Sequence, residues 1–485
     1  MGSNYEKGMY NQLMEVMNRL DSVEKDYKRD VRCLNNKIDE LTQENDALRR
    51  ENQILKDDNA RLKSILHNDS SNTSLPPSTD QKGGKPANTY NGREKTGRKT
   101  GGQKNHKGTT LTKAEVERKI RSGKYRHEIQ TIGDACSGKY ITKYVVDLSV
   151  ESLITEVRIY TDKKGHFNIP AAYHSDVTYG ANVKALAASL YSEGVMSNDR
   201  IAAFLNAASD DGLGLSEGSV YGFCKKLAKA AGTSIRHLED ELLNQKVVAT
   251  DATTITVNGE QNYIRNFSIG QTVVYHAMKS KTIDEMKELH FLKKYTGTLV
   301  HDHETALYHF GTEHAECNVH IIRYLRKNTE ETGNQWSGRM ISLLCEMNDT
   351  RKDFMEQGRD AFPEDMICRW EQSYHALISD GREENKKTSH KYAKSEERTL
   401  LNRMDKYSHN HLLFLRDFAV SFDDNLSERD LRKAKNRQKM AGGFRKDSGH
   451  EMYCSILSII ETLKKRKMGM LENIRKLFMG TPAIF

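Results

Sequence analysis

Proline is scarce in this chain, with six in 485 residues. So few helix breakers leave room for long helices. Cysteine is sparse too. Cys33, Cys136, Cys224, Cys317, Cys345, Cys368 and Cys454 are scattered, and no two form a CxxC pair. That spacing excludes a disulfide scaffold and fits a cytoplasmic chain with reduced thiols. No run of about 18 apolar residues occurs, so no membrane-spanning helix and no membrane partner is expected. The opening segment MGSNYEKGMY is polar and lacks the apolar stretch of a secretory signal. An acidic excess is also missing. The 75 Lys and Arg outnumber the 67 Asp and Glu, for a net charge of +8, and the excess is unevenly spread. Such asymmetry suits nucleic acid better than an acidic protein or a lipid surface. The length allows two to four domains.

Residues 10–66 carry a heptad array. Leu34, Leu41, Leu48, Leu55 and Leu62 recur every seventh residue, with Val31, Ile38, Asn45, Asn52 and Asn59 at the complementary position. This predicts a coiled-coil zipper. Asparagines paired in register favour a parallel dimer, at a loss of stability. A long solvated helix is the plainer alternative. Residues 67–112, rich in Gly, Ser, Pro and Lys, predict a flexible basic linker. Its Arg98, Lys99, Lys104 and Lys107 are candidates for DNA phosphates or a minor groove, unless the segment is only a tether. Residues 113–180 alternate apolar and polar in KYITKYVVDLS and LITEVRIYTD and predict a small strand-rich module. Residues 181–245 predict successive helices with Gly-containing turns, the last capped by Ser216, similar to a helix-turn-helix.

Residues 246–325 switch to α/β character. Three strands at hairpin spacing, a helix and a strand ending in an acid follow the order of a ribonuclease-H-like core. Residues 326–420 predict a charged helical insertion, and 421–480 the end of the core with further helices. Three acids stand out. Asp251 closes the apolar run KVVATD, and Asp302 closes GTLVHD. Glu428 falls in the first turn of a helix in FDDNLSERDLR, which Asp424 or Asn425 can cap. Carboxylates from two neighbouring strands and a helix packed across them are hard oxygen ligands. They suit two Mg²⁺ ions (or Mn²⁺) about 4 Å apart for phosphoryl transfer. Crowding would raise at least one carboxyl pKa without metal. Taken singly, a strand-end Asp is often a turn cap, and a first-turn Glu often only serves the helix dipole. Arg429, Arg432, Lys433, Lys435, Arg437 and Lys439 form a basic stripe beyond Glu428, able to grip DNA phosphates or simply to face solvent. GGFR at 442–445 is either a close approach to DNA or a helix stop.

Several of these segments resemble the insertion-sequence 66 family of bacterial DDE transposases. They are SSNTSLPPSTD with REKTGRKTGGQKNHKGTTL, YGANVKALAASL, LSEGSVYGF, VVATDATT, VHDHETALYHFGTEHAECNVHIIRYL and FDDNLSERDLRKAKNRQKMAGGFRKDSG. The resemblance implies that Asp251, Asp302 and Glu428 are the DDE triad and the metal ligands. It also implies cleavage and strand transfer at transposon ends, and assembly on DNA beside the bacterial nucleoid. Element-encoded helper proteins are further possible partners. His320 and Arg323 match a motif near the second acid and are expected to support it. Two departures stand out. Family members commonly carry Glu directly after the first Asp, where this chain has Ala252. They also carry a zinc module after the linker, reduced here to Cys136, so residues 113–180 are expected to be a degenerate, zinc-free remnant. An idle, transposase-derived DNA-binding assembly protein is the alternative. A nuclease acting on RNA–DNA hybrids is disfavoured, because it needs neither zipper nor tether.

Overall fold

The computed structural model describes residues 2–66, 68, 111–123, 125–132, 141–146, 148 and 150–481. Along the chain, α1 (Gly2–Leu66) and α2 (Lys113–Arg121) precede three helices, α3 (Ala181–Ser192), α4 (Asn198–Ala208) and α5 (Glu217–Leu243). The hairpin strands β1 (Val247–Val257), β2 (Glu260–Ser268) and β3 (Val273–Met278) follow. Next come α6 (Ile283–Lys287), α7 (His290–Lys294), β4 (Thr298–His301) and β5 (Glu313–Glu316). The helices α8 (Asn318–Thr332), α9 (Gln335–Glu356), α10 (Glu364–Lys387), α11 (Lys391–Lys406) and α12 (Ser408–Arg416) form an unbroken helical stretch. The chain ends with α13 (Asn425–Asp430), α14 (Arg432–Ala441), α15 (Asp447–Lys465) and α16 (Met470–Phe478). It divides into two compact units, Met1–Thr89 with His320–Arg416, and Tyr90–Val319 with Asp417–Phe485.

The second unit is built on a five-stranded mixed sheet in the order β3-β2-β1-β4-β5. β1, β2 and β3 are antiparallel neighbours, while β4 lies parallel to β1 and β5 parallel to β4. The β1–β2 turn is the dipeptide Asn258–Gly259, with φ of 52° and 82°. Those two residue types tolerate the left-handed backbone that a two-residue hairpin needs. α5 starts at Ser216, whose hydroxyl accepts from Ser219 N–H at 3.2 Å. It buries Val220, Phe223, Cys224, Leu227, Ala231, Leu238 and Leu242 at helical spacing. These side chains join α3, α4, α15, α16 and the sheet in one hydrophobic core. α15 also closes the exposed edge of β3. Thr462 Oγ1 bonds both N–H (3.1 Å) and C=O (3.0 Å) of Val273, and Ser458 Oγ accepts from Tyr275 N–H at 2.9 Å. Unpaired edge groups are thereby satisfied by a helix rather than by another strand.

Strands expected within 113–180 do not form among the described residues. These carry α2, one isolated bridge between Thr161 and Phe167, and a single 3₁₀ turn at Ala171–Tyr173. The alternating apolar side chains there stay exposed, with Val145 at 92% and Ile154 at 90%. Alternation makes a strand only when another layer covers the apolar face, and none does. Cys136, Arg98, Lys99, Lys104 and Lys107 lie outside the described residues.

The first unit is helical. Its buried hub is Glu397 of α11. Its carboxylate accepts from Asn328 (3.0 Å), Asn334 (2.8 Å), the Trp336 indole (2.6 Å), Asn385 (2.8 Å) and Thr388 (3.1 Å). α1 meets this unit through its last turns, where Ser64 is buried and bonds Glu331. The heptad leucines upstream remain exposed, Leu34 at 63% and Leu41 at 49%.

Candidate active site

β1 pairs with β2 over Ala249–Val257 but with β4 only over Val247–Ala249. Asp251 and Asp302 each stand two residues beyond the Ala249–Val300 pair. Continuing that register sets them level and on the same face of the sheet. Asp302 directly follows β4. Asp251 does not occupy the strand end expected for it, because β1 runs on to Val257 as the partner of β2. It sits instead where the pairing with β4 stops and the two strands part. Burial pushes its carboxyl up to about 6, and the charge of Asp302 adds to that. The Ala252 N–H, which donates to Asp251 Oδ1 at 2.7 Å, acts in the opposite sense, as do Lys435 and Lys281.

Glu428 reaches this region on α13, which packs on β1 and β2. The link is Asn266, the fully buried register partner of Asp251. Asn266 Oδ1 accepts from Asp251 N–H (3.1 Å) and from the Ser427 hydroxyl (2.7 Å), and Nδ2 donates to Ser427 C=O (3.0 Å). One amide thus ties the backbone of the first acid to the residue preceding the third. Asp430 anchors the other end of α13. Its carboxylate accepts from Ser268 (2.8 Å) and Lys465 (2.5 Å), and its C=O accepts from the Tyr275 hydroxyl (2.9 Å). Sequence reasoning passed over Asn266. The available signal was an asparagine inside the strand QNYIRNFSIG, where that residue is disfavoured unless it has a bonding role.

Asp424 is the second residue that sequence reasoning underrated. It stands at the N-cap of α13, yet its φ and ψ of −103° and 25° are not those of a capping residue, and its side chain makes no cap bond. Asp423 takes that task, accepting from Asn425 N–H (3.1 Å) and Nδ2 (2.6 Å). Asp424 itself is fully buried, with neither carboxyl oxygen bonded. Burial drives its carboxyl well above the usual range, and the charges of Asp251, Glu428, Asp302 and Asp423 drive it the same way.

Behind Asp302 lies a dense polar layer. His301 and His314 share a ring-nitrogen contact at 3.1 Å, while Glu316 meets His303 at 3.1 Å and accepts from the Tyr308 hydroxyl. Burial, and then the charge of His301, hold His314 down at about 4. On β2 the buried Arg265 donates to Glu304 (2.5 Å) and Thr250 (3.2 Å), and Lys281 also approaches Glu304 at 3.4 Å.

The basic stripe divides. Arg429 and Arg432 are exposed and Lys435 is half-buried. Lys433 and Arg437 do not face outward as expected. Lys433 pairs with Glu193 (2.6 Å) and Glu461 (3.1 Å). Arg437 is buried, its guanidinium 5.1 Å from the Tyr191 ring and 5.2 Å from that of Phe444. The two lie four residues apart on α14 and flank the buried Ala434, so they share its inward side. GGFR proves to be a helix stop that docks on the sheet. Gly442 ends α14 at φ 68°, and Phe444 exchanges backbone hydrogen bonds with the end of β1 and the turn after it, through Thr256 C=O and Asn258 N–H, both 2.8 Å. A Cβ on Gly443 would fall 2.0 Å from Thr256 O. His320 is buried and Arg323 half-buried on α8, in the helical unit.

Among the described residues no group of three or more His, Cys, Asp or Glu side chains is already placed to hold a metal ion. The donor chemistry nevertheless fits a hard cation: carboxylate oxygens only, one of them a buried carboxyl without a protein partner. Residues 177–452, more than half of the chain, match the model of a family described as Transposase IS66 family. The chain belongs to the IS66 transposase family. No curated protein matches it. The matched span of this IS66-family chain holds Asp251, Asp302, Asp424 and Glu428 together with Arg429 and Arg432. The family is one of DNA-processing transposases, which bind DNA and generally use divalent metal. Among the described residues of this member, no helix is long and apolar enough to cross a membrane.

Proposed function

We propose that this protein is an active DDE transposase. It cuts DNA at the ends of a mobile element and joins the freed 3′-hydroxyl to a target, with Asp251, Asp302 and Glu428 as its divalent-metal ligands. The observation that supports this reading is the parallel register of β1 and β4, whose continuation past Ala249–Val300 would bring Asp251 and Asp302 level, with α13 tied beside Asp251 through Asn266. Three antiparallel strands followed by two parallel ones, in the order β3-β2-β1-β4-β5, support a ribonuclease-H-like core. These carboxylates would hold divalent ions, which when bound would supply activation of the attacking water or hydroxyl and charge stabilisation at the leaving oxygen. Asp251 and Asp302 present oxygens from a rigid sheet, and Glu428 presents its own from a helix fixed at both ends. Lys435 lies close enough to lower the pKa of Asp251 and adds positive charge beside the reacting phosphate. Arg429 and Arg432, exposed on consecutive helices, bind the flanking phosphates. The heptad seam of α1, exposed in the single chain, pairs with a second copy and brings two element ends together.

In the test, purified protein is offered element-end DNA with Mg²⁺. Asp251→Asn, Asp302→Asn and Glu428→Gln should each abolish nicking while DNA binding persists. Nicking retained in all three variants would overturn the assignment. No nick from the unaltered chain would favour an idle DNA-binding assembly protein.

A further inference from the structure

The carboxyl of Asp424 is fully buried, and both of its oxygens lack a hydrogen-bond partner. An ordinary buried carboxyl accepts from backbone amides or a basic side chain. The usual explanation for an Asp in this position, capping of the following helix, does not apply. Asp423 already accepts the Asn425 N–H, and Asp424 contributes only its backbone, its C=O accepting from Glu428 N–H at 3.1 Å and its N–H donating to Cys317 Sγ at 3.3 Å. No basic group figures among the strongest charge effects on Asp424, which come from Asp251, Glu428, Asp302 and Asp423. A buried carboxyl with no hydrogen-bond donor, close enough to other acids to feel their charge, offers the oxygen-donor chemistry that a divalent cation takes.

We infer that Asp424 is a fourth carboxylate ligand, which completes the divalent-cation site of Asp251, Asp302 and Glu428. The inference rests on the function proposed above and deepens it. α13 then contributes two ligands, one from its N-cap and one from its first turn, and metal binding locks that helix against the sheet. A merely structural Asp424 would leave metal affinity untouched, because its shape is preserved in asparagine.

The test uses the full chain, stripped of metal, and titrates it with Mn²⁺ alone by calorimetry, with no DNA present. Asp424→Asn should bind Mn²⁺ at least tenfold more weakly than the unaltered protein. Its metal-free melting temperature should be equal or higher, because a buried unpaired acid has been removed. Asp423→Asn, altered at the neighbouring position, should change Mn²⁺ affinity less than twofold. Unchanged affinity in Asp424→Asn, together with weakened binding in Asp251→Asn, would overturn the inference and leave the triad standing. Unchanged affinity in both would overturn the triad and this inference with it. If Asp424→Asn does not fold, Asp424→Ser is read by the same titration and the same criteria.

Discussion

At the scale of single residues, the site is held by groups that do no chemistry. Asn266 is the clearest. Its amide satisfies the Asp251 N–H and two groups of Ser427 inside the core. Asn266→Ala leaves those polar groups without their partner, and relaxation around the shortened side chain offsets part of that cost. The expected result is a loss of about 2–4 kcal/mol in urea unfolding, with cleavage falling further than the drop in folded fraction explains. Arg437 and Arg432 form a second contrast. Arg437→Ala removes a buried cation stacked on aromatic rings and should lower stability by about 2–3 kcal/mol. Arg432→Ala touches only an exposed position. It should leave stability within about 0.5 kcal/mol and make DNA binding less salt-dependent, with the log–log slope smaller by about one. Parallel melting and salt-titrated binding measurements separate the two.

Among the elements, two junctions matter, one in each compact unit. The first is the stop after α14. Gly443→Ala brings a Cβ to 2.0 Å from Thr256 O at a φ of 109°, so the segment must leave β1. A loss of about 2–4 kcal/mol is expected, read as a lower midpoint in thermal unfolding. The second is the Glu397 hub that joins α8, α9, α10 and α11. Burial by itself would raise the pKa of this carboxyl, but hydrogen bonds from Asn334, Trp336, Asn385 and Asn328 outweigh it and bring the value below normal. A carboxyl with a depressed folded-state pKa stabilises above its unfolded value, and that stabilisation fades as pH falls through the folded value. The helical unit should therefore lose stability below about pH 4, and Glu397→Gln should flatten that dependence while lowering stability at pH 7. Both tryptophans, Trp336 and Trp370, lie in this unit, so indole fluorescence follows it specifically.

For the whole molecule, the feature that bears on self-association is α1. The leucine seam of α1 is exposed over most of its length. An isolated helix gains little from such a stripe, whereas two helices bury it against each other. Removal of residues 1–66 should reduce the sedimenting mass to that of one chain while the strand register and the Mn²⁺ titration stay intact. An unchanged mass would remove the zipper from the account of assembly.

Periodicity and composition were enough to mark a long N-terminal helix and hairpin strands before a parallel crossover, and they drew attention to Asp251, Asp302 and Glu428, whose catalytic role rests on the family resemblance and stays a proposal. Each of these depends on neighbours in the chain, on a repeat of seven, an alternation of two, or an acid closing an apolar run. The inward turn of Lys433 and Arg437, the unformed strands before residue 180, the tether at Asn266 and the buried carboxyl of Asp424 were decided by tertiary structure alone. The reason is physical: which face of a helix is covered, whether an alternating run finds a layer to pack on, and which polar group finds a partner all depend on residues far away in sequence. Asp423 and Asp424 are adjacent and chemically alike, yet packing gives one the helix cap and leaves the other buried without a hydrogen-bond donor.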